Sequence, residues 1–378
     1  MNASDIIELH HLALRKLGDI EEKRGLFDRL LAQSGKHYDG IVGPRGAGKT
    51  VILKQLAREL PNTIYISLDT LPADEDLFEV IKKLNLDYRY QTFLLDEVYS
   101  YPAYDEALKK MYDFLDIRVV FTSSVALKMK SSAYDLSRRV VLHPLHAFSF
   151  REYLALKHAQ RLPRLQIQDI FTRAWTAGHL RSGGYFADYL SGGLMPFALQ
   201  EPEPLVILGN ILKTIIHKDV STVARLPADE LAMMEKIMTF IGRSGVDGIN
   251  YSSLSDNLKI TKYKAAQYVQ LLEDAFVLQA IFPKGTNVTR EPKILMAPPY
   301  RLLYRSREEA AGGLREDFFA FVMRSLAMPV YYLKSTRGAK TPDYLLDAPG
   351  MERTVIEIGG KSKGRSQFKD FVAEIGRA

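Results

Sequence analysis

The sequence predicts an α/β amino-terminal part, a parallel sheet covered by helices on both faces, followed by a mostly helical stretch and a smaller α+β end. Three observations predict it. Short apolar runs alternate with amphipathic stretches between Tyr38 and Leu142, as when crossover helices join parallel strands. One strand-to-helix turn reads Gly43-Pro44-Arg45-Gly46-Ala47-Gly48-Lys49-Thr50 and fits the phosphate-binding pattern G-x-x-x-x-G-K-[ST] at every fixed position. After Pro144 the alternation gives way to helical periodicity interrupted by Gly183-Gly184 and Gly192-Gly193.

In chain order, residues 4–17 read as an amphipathic helix with Ser4 as its cap, and residues 22–33 as a second helix. Strands are expected over 38–42, 63–68, 92–95, 117–121 and 140–142. Helices are expected over 49–60, 75–84, 103–115 and 126–130, and then over 149–158. The residues from Asp229 to Pro283 read as two or three helices and a strand-like run, 276–282. The end reads as a helix over 314–326 and strands over 330–334, 343–347 and 354–358. The segment 283–299, rich in Pro, Gly and charge, reads as a linker. These elements suggest a core over 1–145, a helical lid over 146–225, a helical module over 226–283 and a last domain over 284–378.

The chain has 378 residues, too many for one ordinary core. It is 47% hydrophobic and 25% charged, a globular composition. The absence of cysteine excludes disulfides, Cys-based zinc sites and a thiol nucleophile. No run of 18 apolar residues exists, so no membrane span is expected. The first residues carry Asp5 and Glu8 rather than a basic start, so the cytoplasm is the expected address. The net charge of +6 permits contact with nucleic acid without demanding it.

Each residue of the glycine-rich turn has a physical task. The glycines let the backbone bend so that its N–H groups reach phosphate. The helix that follows points its positive end at the same place. Lys49 is placed to contact the β- and γ-phosphates, and the Thr50 hydroxyl to ligate Mg²⁺. A second magnesium partner is needed at the end of a neighbouring strand. Thr92-Phe93-Leu94-Leu95-Asp96-Glu97 supplies it: Asp96 for the metal, directly or through water, and Glu97 as general base on the attacking water. ATP and Mg²⁺ are therefore the expected ligands. Thr122-Ser123-Ser124 ends the fourth strand between these two segments, and one of its hydroxyls, Ser123 among them, could orient the attacking water or sense the γ-phosphate. Arg138-Arg139 before the fifth strand could reach a neighbour's nucleotide.

These motifs, with Phe148-Ser149-Phe150-Arg151-Glu152-Tyr153 and Tyr189-Leu190-Ser191-Gly192-Gly193-Leu194-Met195-Pro196, resemble the AAA+ (AAA-type, P-loop) ATPases of archaea and bacteria that carry a carboxy-terminal DUF4143, nuclease-like domain. The resemblance implies ATP hydrolysis, homo-oligomers, a helical lid and nucleic-acid-linked work. An ATP-gated nuclease and a non-hydrolysing switch are the alternatives. The chain departs from the family pattern in two places: Arg138-Arg139 stands where the family has Gly-Arg, which makes Arg139 the corresponding arginine, and Thr122-Ser123-Ser124 stands where its sensor turn reads Thr-Gly-Ser.

Residues 251–282 look like a winged helix, with Thr261 capping a recognition helix on which Lys262, Lys264, Gln267 and Tyr268 face outward toward DNA. Seven basic and three acidic residues between Lys284 and Arg315 continue the positive excess. The last domain resembles the PD-(D/E)xK nuclease fold, which implies a metal site of Glu316, Asp343 and Glu357. The usual lysine is displaced to Lys361, so a degenerate site used for binding is the favoured reading.

Overall fold

A computed structural model of the chain describes residues 2–18, 20, 22–33, 35–72, 74–126, 136–166, 168–169, 172–284, 291–333, 342–350 and 352–359. The chain divides into two compact units. The first holds Met1–Leu180, Met195–Pro202 and Lys218–Arg225, and the second Arg181–Leu194, Glu203–His217 and Leu226–Ala378.

The first unit is built on five parallel strands, β1 (Tyr38–Val42), β2 (Thr63–Ser67), β3 (Thr92–Asp96), β4 (Arg118–Ser123) and β5 (Val140–Pro144), in the order β2-β3-β4-β1-β5. Helices α1 (Ala3–Arg15), α2 (Gly25–Leu31), α3 (Lys49–Glu59), α4 (Leu77–Tyr88), α5 (Tyr104–Phe114) and α6 (Phe150–His158) belong to this unit. The two-residue period of a strand divides the apolar side chains between two cores. Phe93, Leu95, Val119 and Phe121 pack with Leu84 of α4 and Met111 of α5. Leu94, Val120 and Ile41 pack with Leu30 of α2 and Leu53 and Leu56 of α3. Both faces of the sheet are thus covered, as the continuous apolar runs require. The helix expected over 126–130 lies, from 127 on, outside the described residues.

The cap of α1 is Asn2, not Ser4. Asn2 accepts from the Asp5 N–H at 2.9 Å while the Asp5 carboxylate accepts from the Asn2 N–H at 2.8 Å. Three residues beyond Ser4 stands Ile7, which cannot return a bond; beyond Asn2 stands an acid, which can.

Helix α1 also protects the edge of the sheet. The Tyr65 N–H on edge strand β2 donates to Nδ1 of buried His10 at 3.0 Å. Burial, with a smaller contribution from His11, pushes the His10 pKa down from 6.5 to about 4. An imidazole acceptor is lost when Nδ1 takes a proton. Because the folded pKa lies below the unfolded one, this contribution to stability is complete above pH 6.5 and is lost as the pH falls toward 4. Chemical denaturation at a series of pH values should therefore show an acid decline in wild type that flattens in His10→Gln.

In the second unit, α7 (Pro204–Thr214) and α8 (Ala228–Arg243) precede a helix-turn-helix, α9 (Tyr251–Leu258) and α10 (Lys262–Asp274), with Thr261 capping α10. An antiparallel pair follows, β6 (Leu278–Ile281) and β7 (Lys293–Met296). The segment expected to be linker therefore contains a strand, because Ile294 and Leu295 bury their side chains completely and Pro and charge crowd only its flanks. Helix α11 (Arg307–Ser325) starts seven residues earlier than expected and runs through Gly312-Gly313. Ser306 and Glu309 form a reciprocal cap at its start. A Cβ at Gly313 would lie 2.8 Å from Nε of Arg301, so the glycine gives room to a buried arginine. The chain then forms an antiparallel sheet of β8 (Val330–Tyr332), β9 (Tyr344–Leu346) and β10 (Thr354–Ile356). No helix among the described residues is long and apolar enough to cross a membrane.

Candidate nucleotide-binding site

The glycine-rich turn lies where β1 meets α3, at the carboxyl edge of the sheet. Gly48 caps α3 with φ +87°, a left-handed conformation that favours glycine. Gly43 is needed for space: a Cβ there would lie 1.9 Å from the Leu145 carbonyl oxygen. Gly43→Ala should therefore displace the loop from β5 and abolish nucleotide binding, which equilibrium titration with a fluorescent ATP analogue would show.

Lys49 is 4% exposed and donates to the carbonyl oxygens of Gly43 at 2.9 Å and Pro44 at 3.1 Å. Burial holds its pKa down, against the opposing pull of Glu97 and Asp96. Two of its three ammonium hydrogens are used, so one remains for an incoming phosphate.

Strand order explains the geometry around Asp96. Strand β4 lies between β3 and β1, and its last residues stand beside both Asp96 and the turn. Asp96 accepts three hydroxyl bonds: from Thr50 at 2.8 Å, from Tyr65 at 2.8 Å and from Thr122 at 2.5 Å. The hydroxyl that reaches Asp96 from β4 is thus Thr122, not Ser123. Leu95 pairs with Phe121, so Asp96 and Thr122 come next and share a face, while Ser123 points to the other one. Ser123 instead donates to the Val125 carbonyl at 2.8 Å. Tyr65 escaped the sequence reading; the signal was a tyrosine inside the apolar run of the adjacent strand.

Glu97 follows β3 in a left-handed conformation, φ 54° and ψ 52°, which costs a non-glycine residue energy and clusters at functional positions. Its N–H is held by Thr122 Oγ1 at 2.9 Å. Its Oε2 is buried with no hydrogen-bond partner among the described residues. Burial pushes its pKa up, against the pull of Lys49.

The Phe148–Tyr153 run supports the loop from behind. Ser149 and Glu152 form a reciprocal cap on α6. Glu152 also accepts from Nε of Arg24 at 2.8 Å, and Nη1 of Arg24 donates to the Ala47 and His146 carbonyls, both at 2.9 Å. Although burial opposes it, Arg24 and the Ser149 bonds hold the Glu152 carboxyl below its usual range.

A cleft of about 530 Å³ opens over the turn. Arg45, Gly46, Gly48, Lys49, Thr50 and Glu97 line it along with the apolar side chains of Ile20, Phe148, Leu156, Pro196, Phe197 and Leu199. A polar end with convergent donors and an apolar end suit a phosphorylated aromatic ligand. Thr50 and Asp96 offer the hard oxygen donors that Mg²⁺ takes.

The other residues singled out from sequence stand elsewhere. Arg138 is exposed. Arg139 lies at the amino end of β5, the edge opposite the glycine-rich turn, where it pairs with Asp113 through Nη2 at 2.9 Å and Nε at 3.0 Å. On α10, Lys262 pairs with Glu291 at 3.2 Å and Lys264 with Glu230 at 2.6 Å, while Gln267 is exposed. Tyr268 does not face outward: it is 4% exposed and shares the inner face of α10 with Ala265, Val269 and Leu272, at helical spacing. Tyr263, 76% exposed, takes the outward aromatic position.

Among the described residues, Glu316, Asp343 and Glu357 are not gathered into a cluster that could hold a metal. No group of three or more His, Asp or Glu that could hold a metal exists among the described residues. Glu316 is buried and accepts from Lys293 at 2.5 Å and Tyr344 at 2.6 Å. Asp343 accepts from the Ile358 N–H at 2.7 Å, and Glu357 is half-buried. Lys361 lies outside the described residues. A nuclease carboxylate would need its oxygens free for metal, but Lys293, which the sequence reading passed over, neutralises Glu316 already.

The fold and this site define the class: the first unit is built as a P-loop domain of the AAA+ kind, and residues 36–154 match the family model of the AAA domain. The part of the resemblance that named DUF4143 is not shown; residues 184–298 match instead a different domain of unknown function, DUF8612. The chain is similar to the uncharacterized protein MJ1637 of Methanocaldococcus jannaschii, 28% identical over 398 residues that cover 93% of this chain and 83% of that one. Among solved structures it resembles the Orc1 protein of Aeropyrum pernix in complex with DNA, at 13% identity and a TM-score of 0.33, covering 84% of this chain and 94% of that chain. It also resembles the Hsp104–ADP complex of S. cerevisiae, at 14% identity and a TM-score of 0.33, covering 70% and 41% respectively.

Proposed function

We propose that this protein binds MgATP in the cleft over Gly43–Thr50 and hydrolyses it. The observation that carries the reading is the convergence of Thr50, Thr122 and Tyr65 on Asp96 beside a half-buried glutamate, Glu97, whose buried Oε2 has no hydrogen-bond partner among the described residues. Thr50 and Asp96 would hold Mg²⁺, which neutralises charge on the phosphates when bound. Lys49 and the loop N–H groups take the β- and γ-phosphates, and Glu97 accepts the proton of the attacking water. The apolar side of the cleft takes the base. In this reading the core is 1–145 and the lid 146–225, with Pro196 and Phe197 of the lid on the cleft wall.

The reading extends to assembly and partners. Arg139 is the arginine offered to a neighbouring copy, and using it requires release from Asp113. The helix-turn-helix and hairpin of residues 251–296 provide a winged-helix-like surface for DNA or protein, with Lys262, Tyr263 and Gln267 outermost.

Purified protein should be stabilised by MgATP, by about 2.7 kcal/mol at a hundred times the Kd, and Lys49→Ala should remove that stabilisation. Light scattering with and without ATP and duplex DNA tests assembly and DNA contact together. A thermal melt that nucleotide leaves unmoved would overturn the proposal.

A further inference from the structure

The side chain of Arg45 extends from the glycine-rich loop to a residue 174 positions away. Its Nε and Nη2 donate to the two carboxylate oxygens of Asp219, at 2.9 and 2.7 Å. Its Nη2 also donates to the Tyr99 hydroxyl at 2.9 Å, and Tyr99 in turn donates to Asp219 at 2.9 Å. Asp219 is 1% exposed. Tyr99 follows the Asp96-Glu97 pair by two residues. The cluster therefore ties the phosphate loop, the segment after β3 and residues 218–225 together within the first unit. Burial alone would lower the basicity of Arg45, but the paired carboxylate more than reverses it.

We propose that Arg45 reads the terminal phosphate of the nucleotide, and that Asp219, with Tyr99, is the positioning residue that aims it. The proposal rests on the reading of the cleft as a nucleotide site. A guanidinium carries five N–H donors in a rigid plane. One edge is committed to Asp219, while Nη1 has no hydrogen bond among the described residues and Arg45 lines the cleft. Pulling the fork away would leave a carboxylate buried without its cation, which is strongly unfavourable. The arrangement is thus retained when ligand arrives, and the uncommitted Nη1 is the nitrogen that a phosphate meets. A flexible arginine would have to lose side-chain freedom on binding; this one has already lost it. Asp219 also faces Lys49 and Glu97 electrostatically, so it sits close to where the γ-phosphate would lie.

The test is the ratio of affinities for ADP and for a non-hydrolysable ATP analogue, measured calorimetrically with Mg²⁺ on the full chain. Asp219→Asn and Arg45→Lys should each weaken the analogue about tenfold more than ADP, as expected for one charge-assisted contact from Nη1. The double variant should be no worse than Arg45→Lys alone, since both act through one contact. Tyr99→Phe, which removes only a hydroxyl, should give a smaller loss of the same selectivity and decides the matter should Asp219→Asn not fold. Equal losses for both nucleotides, no loss for either, or a tighter analogue would overturn the proposal. Absence of nucleotide binding to wild type, or binding insensitive to Lys49→Ala, would instead defeat the reading of the cleft.

Discussion

Glu97→Gln is expected to leave MgATP bound and to reduce its hydrolysis by at least ~100-fold, the contribution of a positioned general base. The amide that replaces the carboxylate would keep the size and the polar end of the side chain but could not take a proton. The backbone at this position is already strained, and its N–H is anchored by Thr122, so the substitution leaves the geometry in place. A filter-binding assay and a phosphate-release assay on the same preparation separate binding from turnover. The wild-type pH profile offers a second check. Burial raises the Glu97 pKa, and a base is inactive below its pKa. The acid limb of kcat should therefore lie above the range of an ordinary carboxylate. Turnover by Glu97→Gln at the wild-type rate would remove this glutamate from the chemistry.

Asp317→Ala is expected to destabilise the second unit by about 3–5 kcal/mol, the cost of breaking a buried ion pair from one side. Arg301 and Asp317 are 1% and 0% exposed, joined through Nε to Oδ2 at 2.6 Å and Nη2 to Oδ1 at 2.9 Å. Asp317 also accepts from the Met296 N–H at 3.0 Å, and Arg301 donates to the Ile241 carbonyl at 3.1 Å. Removing the carboxylate leaves a guanidinium in the core and a strand N–H without its acceptor. Replacing both partners by apolar residues, Arg301→Met with Asp317→Leu, should recover most of the loss. Urea denaturation followed by circular dichroism measures the difference, and a loss under about 1 kcal/mol in Asp317→Ala, the range of an exposed pair, would show that Asp317 does not hold α11 in place.

The extent of legibility follows from how far apart the determining residues are. The five strands of the first unit could be read because each is a short run of largely apolar residues between turn signals. The turn at residues 43–50 could be read because its eight residues are contiguous. Boundaries were misjudged where the deciding partner was a single side chain: Asn2 rather than Ser4 capping α1, or Ser306 starting α11 ahead of two glycines. The linker reading failed because Ile294 and Leu295 reveal themselves as strand only when β6 lies beside them.

What the sequence by itself determined is therefore the P-loop α/β core, the loop that bends around phosphate and the acidic pair ending β3. These depend on local pattern and on strand periodicity, which neighbouring residues encode. Only the tertiary structure decided which hydroxyl meets Asp96, that Glu152 holds Arg24 against the loop, that Asp219 grips Arg45, and that Lys293 occupies Glu316. Each of those is a pairing across 23 to 174 positions, and hydrogen bonds of that reach are set by strand order and helix placement rather than by spacing along the chain.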